Sequence, residues 1–167
     1  MPCGPRRLDA RQGTDIEQPT DDFATAFEGA FARLQVRVEE AMAGEGEWPV
    51  RIAAAIRAGL DFAAADPAAA NLLSNEALSR GAAGIARYQR LIGYLAGLIA
   101  PGRECAAGGA RLPEITERAL AGGVAMLVAK RLDQGRAAEL PSLAPEAIEF
   151  VLTPYVGNAE ARRIAAA

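Results

Sequence analysis

The sequence predicts an all-α fold, a multi-helix domain around one core, and three observations carry that expectation. Alanine and leucine dominate, aromatic residues make up only 5% of the chain and β-branched residues are sparse, a composition that favours helix over sheet. Apolar residues recur at three- and four-residue spacing in one segment after another, the period of a helix with one buried face. Proline and glycine gather between those segments, where they stop one helix and start the next. With 167 residues and 51% hydrophobic composition, the chain amounts to about one ordinary domain with enough apolar surface for a core.

Residues 1–20, MPCGPRRLDARQGTDIEQPT, show no helical or alternating period and are rich in Pro, Gly and charge, so an irregular or disordered arm is expected there. Thr20, Asp21 and Asp22 supply a helix start, with acidic groups where the helix dipole favours them. Phe23, Phe27, Ala30, Phe31, Leu34, Val38 and Ala41 form its stripe, and Gly44 to Gly46 end it. Pro49 suits the first turn of the next helix, where its missing N–H is no loss, and Ile52, Ile56, Leu60 and Ala63 are its buried stripe. Pro67 biases Asp66 away from helical geometry and closes that helix. A short helix is expected over residues 68–78, then a small loop over 79–84. Ile85, Tyr88, Ile92, Leu95 and Ile99 mark a further helix, its arc widened by Leu91 and Leu98 and its end set by Pro101 and Gly102. Residues 102–111, GRECAAGGAR, read as a flexible connection.

The most telling stretch is residues 112–132, LPEITERALAGGVAMLVAKRL. From Ala119 to Ala129 it has no charged or hydrogen-bonding side chain, so a helix there is apolar all round and wants cover all round. It is far short of the roughly 20 apolar residues that span a bilayer, and Glu114, Glu117, Arg118, Lys130 and Arg131 close it off, so no membrane is expected. Gly122 and Gly123 each cost about 1 kcal/mol relative to alanine in mid-helix, which close approach of another helix would offset. One core covers one side, and a second copy of the chain is expected on the other. This helix is expected over 113–134, followed by a Pro-marked turn in AAELPSLAP and a helix over 145–153. Pro154 should interrupt it, leaving 158–167 as a short frayed helical tail and 21–157 as the main domain.

The formal charge of −3 and pI near 5.1 argue against a nucleic-acid footprint. Histidine is absent, which removes the commonest general base and metal ligand together. Cys3 and Cys105 lie far apart in Pro- and Gly-rich surroundings, so no disulfide is expected and a cytoplasmic location fits. No metal-ligand spacing is present, and the Gly108–Gly109 pair lacks the Lys-Ser/Thr ending of a phosphate loop. Neither a metal, a cofactor nor an enzymatic activity is therefore expected.

Three stretches in series, EWPVRIAAAIRAGLDFAAADPAAANLLSNEALSRG, RYQRLIGYLAGLIAPGRE and LPEITERALAGGVAMLVAKRLDQGRAAELPSLAPEAIEFVLTPYVG, resemble the C-terminal ligand-binding and dimerisation region of the tetracycline-repressor (TetR) family of transcriptional regulators. The resemblance implies a homodimer in which the last two long helices of each copy form a four-helix bundle, and a pocket for a small, largely apolar effector. A full-length TetR-like relative would be a second partner through the shared interface. Such regulators carry an N-terminal helix-turn-helix, whereas residues 1–20 are too few and too Pro/Gly-rich for three helices, so no direct DNA binding is expected of this chain alone.

The candidate ligand contacts are Phe27, Phe31, Ile56, Leu60, Leu72, Ile92 and Leu127 as walls, with Asn75, Glu76 and Tyr88 as polar determinants. The apolar positions suit an ordinary core equally well. The candidate dimer contacts are Leu120, Gly122, Gly123, Val124, Leu127, Ile148, Val151, Leu152 and Tyr155. The competing functions are a helical protein–protein interaction module without a pocket and a small helical enzyme.

Overall fold

Most residues of the three-four stripes are buried or half-buried, but Ile85, expected on one of them, is 41% exposed. A computed structural model describes residues 22–105 and 111–167, and every regular element among them is helical. The expected arm over 1–20, the start residues Thr20 and Asp21, Cys3 and the Gly108–Gly109 pair lie outside the described residues. Among the described residues, no helix is long and apolar enough to cross a membrane.

Helix α1 (Asp22–Met42) buries Phe23, Phe27, Ala30, Phe31, Leu34 and Val38. Its rings form a ladder, Phe23 to Phe27 at 6.0 Å and Phe27 to Phe31 at 6.2 Å between centroids. Helix α2 (Trp48–Ala65) starts with Pro49 in its first turn and lies along α1. Asp66 ends α2 and caps α3 (Pro67–Asn71), its Oδ1 accepting from the Ala69 N–H at 3.0 Å. The single short helix expected over 68–78 is instead α3, a π-helical turn (Leu72–Glu76) and α4 (Ala77–Ser79). A π turn widens the ring of backbone atoms and rotates the next turn of helix out of phase with the last, and it is Leu73 and Ser74 that it buries.

The loop expected over 79–84 shrinks to a bend, because α5 (Gly81–Ile99) starts at once, with Gly81 at φ +65°. Gly84 is there for closeness: a Cβ on it would stand 2.1 Å from the Ala77 carbonyl oxygen. The flexible connection expected from Gly102 likewise begins as a short helix, α6 (Gly102–Cys105). A Cβ on Gly102 would sit 2.4 Å from Trp48 Cη2, so the bare backbone lets the indole lie against it.

Trp48 belongs to a polar corner. Its Nε1 donates to the Leu98 carbonyl at 3.1 Å, and its ring meets Tyr155 edge-on at 5.3 Å. The Tyr155 hydroxyl donates to Glu117 Oε1 at 2.9 Å, and Arg103 grips the same carboxylate in two bonds of 2.7 and 2.8 Å. Glu117 is only 7% exposed. The Arg103 guanidinium holds its carboxyl below the ordinary range, with the Tyr155 bond acting in the same direction.

Helix α7 (Thr116–Asp133) ends before Gly135, at φ +68°. The AAELPSLAP turn forms a 3-10 helix (Ala137–Leu143) that buries Leu140 and Leu143. Helix α8 (Ala144–Val156) does not break at Pro154: it runs on to Val156, with Tyr155 anchored in the polar corner beyond the proline. Gly157, at φ +81°, ends it. The tail expected to fray is α9 (Asn158–Ala165), which buries Ala161, Ile164 and Ala165 against the core. Arg57 Nη2 donates to the carbonyls of Ile164 and Ala165, both at 3.3 Å, a cation where the helix dipole favours one.

Candidate ligand cavity and the outer face of α7

Three helices bring apolar faces to one partly open cavity. Helix α2 contributes Ile52, Ala55, Ile56, Gly59, Leu60 and Ala63, helix α5 contributes Tyr88, Leu91, Leu95, Leu98 and Ile99, and helix α7 contributes Ala121, Val124, Ala125 and Val128. Leu34 and Val38 of α1, Leu73 and Ser74 of the π turn and Val151 of α8 complete most of the wall. The cavity measures about 140 Å³. A Cβ on Gly59 would meet no atom within 4 Å, so the wall is recessed there.

Among the described residues no lining residue is charged, and Ser74 and Tyr88 are the lining residues whose side chains carry an oxygen. Ser74, 6% exposed, donates its proton to the Ala70 carbonyl at 2.7 Å. Half-buried Tyr88 makes no hydrogen bond among the described residues, and burial raises its pKa. No group of His, Cys, Asp and Glu among the described residues is placed to hold a metal ion. Cys105 is an exposed free thiol.

Of the expected ligand contacts, Ile56, Leu60 and Tyr88 line the cavity. Phe27 and Phe31 belong to the α1 ring ladder, and Ile92 is buried off the wall. Leu72 and Leu127 pack against the core without lining the space. Asn75 and Glu76 do not line the cavity, and their polar atoms have other partners. Asn75 Nδ2 donates to Asp133 Oδ1 at 2.8 Å and to the Ala129 carbonyl at 3.3 Å, tying the π turn to α7, and Glu76 pairs with Arg80. The wall residues that periodicity passed over had a signal: Leu91 and Leu98 widened the α5 arc, and the true face runs Tyr88, Leu91, Leu95, Leu98 rather than through Ile92. Ser74 had none, because its inward turn depends on the π segment.

The expected dimer contacts divide in two. Leu120, Ile148, Val151, Leu152 and Tyr155 are buried inside the protomer, and Val124 lines the cavity. The five buried side chains have little surface left to offer a partner, whereas Val124 is only half-buried. Gly122 does face open space, and Gly123 lies under Phe150, whose Cε1 would be 3.0 Å from an added Cβ. Leu127 is half-buried against the core. Around the two glycines the outer face is apolar: Ile115 is 68% exposed, Met126 57% and Phe150 46%, with exposed Ala119 among them.

Comparison with protein-family models, with curated proteins and with solved structures finds no match to this chain. The resemblance to the TetR family therefore rests on the residue pattern alone.

Proposed function

We propose that this chain is the effector-sensing and pairing module of a TetR-like transcriptional regulator. It binds a small, largely apolar molecule in the cavity and pairs with a second copy through the outer face of α7 and α8. The observation that carries this reading is that α7 is apolar on two faces: one closes the cavity at Ala121, Val124, Ala125 and Val128, while the other leaves Met126 and its neighbours in solvent. Contiguous exposed apolar surface marks interaction sites in soluble proteins, and glycine and alanine among larger apolar side chains suit a close helix crossing. A full-length relative with the same outer face would be a second partner. No DNA reading is assigned to these residues, which hold 18 basic against 21 acidic side chains. No turnover is assigned either, since the described residues of the cavity wall include no carboxylate, amine or thiol.

A thermal-shift screen of small neutral hydrocarbons, phenols and alcohols tests the binding half. A compound at 100 times its Kd stabilises the fold by about 2.7 kcal/mol. Gly59→Leu, which projects a side chain into the recess, should remain folded and lose the response. No stabilisation of the parent by any compound, or an undiminished response in Gly59→Leu, would overturn the reading.

A further inference from the structure

We infer that the ligand is a neutral molecule about the size of one six-membered ring, bearing a hydroxyl that Tyr88 and Ser74 read. The inference rests on the cavity-binding reading and narrows its chemistry.

Size comes first. An apolar cavity of about 150 Å³ in another protein stays dry and admits benzene, and this one measures about 140 Å³. A drug-sized molecule, which needs roughly 300 Å³ or more, would extend beyond this cavity. Charge comes second. Among the described residues no side chain in the wall is charged, and an ion without a partner in such surroundings is strongly disfavoured. A carboxylate or an amine is thereby rejected.

The two hydroxyls set the polar end. Ser74 has one proton, and it goes to the Ala70 carbonyl, so toward the cavity Ser74 offers only lone pairs. Tyr88 keeps its proton unassigned among the described residues, and burial keeps the phenol in its protonated form. Tyr88 is therefore the donor of the site and Ser74 its acceptor. A hydrocarbon would use neither, and a ketone or ether would take the Tyr88 proton and leave Ser74 idle. A hydroxyl accepts from the first and donates to the second, which singles out phenols and small cyclic alcohols.

Titration calorimetry on the full chain at neutral pH tests this with phenol, toluene and benzoate as probes. Phenol should bind the parent about tenfold tighter than toluene, equivalent to about 1.4 kcal/mol and within the net range of hydrogen bonds in proteins. Benzoate should give no heat of binding. Tyr88→Phe, checked by its melting temperature, should weaken phenol about tenfold and leave toluene unchanged, and Ser74→Ala should weaken phenol alone. Equal affinities for phenol and toluene in the parent would overturn the hydroxyl reading and leave the cavity reading standing, with no variant required. Tyr88→Phe weakening both probes alike would do the same. Failure of both phenol and toluene to bind the parent would overturn the two readings together.

Discussion

Met126→Glu is the sharpest test of pairing through α7. Met126 is 57% exposed in the protomer and stands on the open face beside Gly122, so the substitution touches little of the fold. Surface changes of this kind alter protomer stability by about 0.5 kcal/mol or less. At a two-fold contact each change counts twice. Fully burying a methionine contributes about 1.5–3 kcal/mol, and the part still exposed here is roughly half of that, so two copies forfeit about 2–3 kcal/mol. Burying a carboxylate without a partner adds at least about 1 kcal/mol for each copy. The sum, about 4–5 kcal/mol, weakens a dimer roughly a thousandfold or more. Sedimentation equilibrium over a dilution series reads that change, with thermal melts to show that the protomer is intact. A parent chain already monomeric at micromolar concentration, or a variant that associates as tightly as the parent, refutes the reasoning. Val124→Asp is no substitute, because Val124 lines the cavity and a carboxylate there would unsettle the core before reporting on any interface.

Two further predictions concern the corner where α2, α6, α7 and α8 meet. Gly102→Ala places a Cβ 2.4 Å from Trp48 Cη2 and should cost about 1–3 kcal/mol by overpacking, seen as a lower melting temperature; an unchanged melt would mean that α6 simply yields. Glu117→Ala removes the acceptor of the buried Tyr155 hydroxyl and should cost about 1–3 kcal/mol. Arg103 holds the Glu117 carboxyl below its ordinary value of 4.5, so its contribution is fully present above that value and is lost as pH falls through the folded-state pKa. The melting temperature of the parent should therefore fall more steeply on acidification than that of Glu117→Ala, and parallel curves would refute the assignment.

The helices were legible where one physical signal decided them. The α1 stripe is buried as its spacing implies, Pro49 opens α2, and Asp66 with Pro67 closes it. Glycine misled twice for one reason: at Gly84 and Gly102 it serves close approach to Ala77 and Trp48, and composition cannot separate that use from a loop. Pro154 misled because the Tyr155 anchor outweighs the local preference to stop. In α8 nearly every residue from Ala147 to Leu152 is apolar, so the pattern could not tell the buried Ile148, Val151 and Leu152 from the exposed Phe150. The cavity was legible only in part. Ile56, Leu60 and Tyr88 were found because α2 and α5 are amphipathic, whereas Ser74 reaches the wall through a π turn that no simple period encodes.

The two faces of α7 are separated by single residues. Ala121, Val124, Ala125 and Val128 see the cavity, while Gly122 and Met126, interleaved with them, look outward. On a rigid helix neither face can shift without the other. An occupant that displaces Val124 by a fraction of an ångström moves Gly122 by a similar amount, and small side chains on the outer face make a helix crossing sensitive to such shifts. Pairing and ligand binding would then be linked, and linkage is reciprocal: whatever factor the ligand applies to pairing, pairing applies to the ligand. On that proposal the all-round apolarity of residues 119–129 would have a meaning beyond coverage. A helix apolar on one face could close a cavity or join a partner, whereas one apolar on both can carry the state of the first to the second.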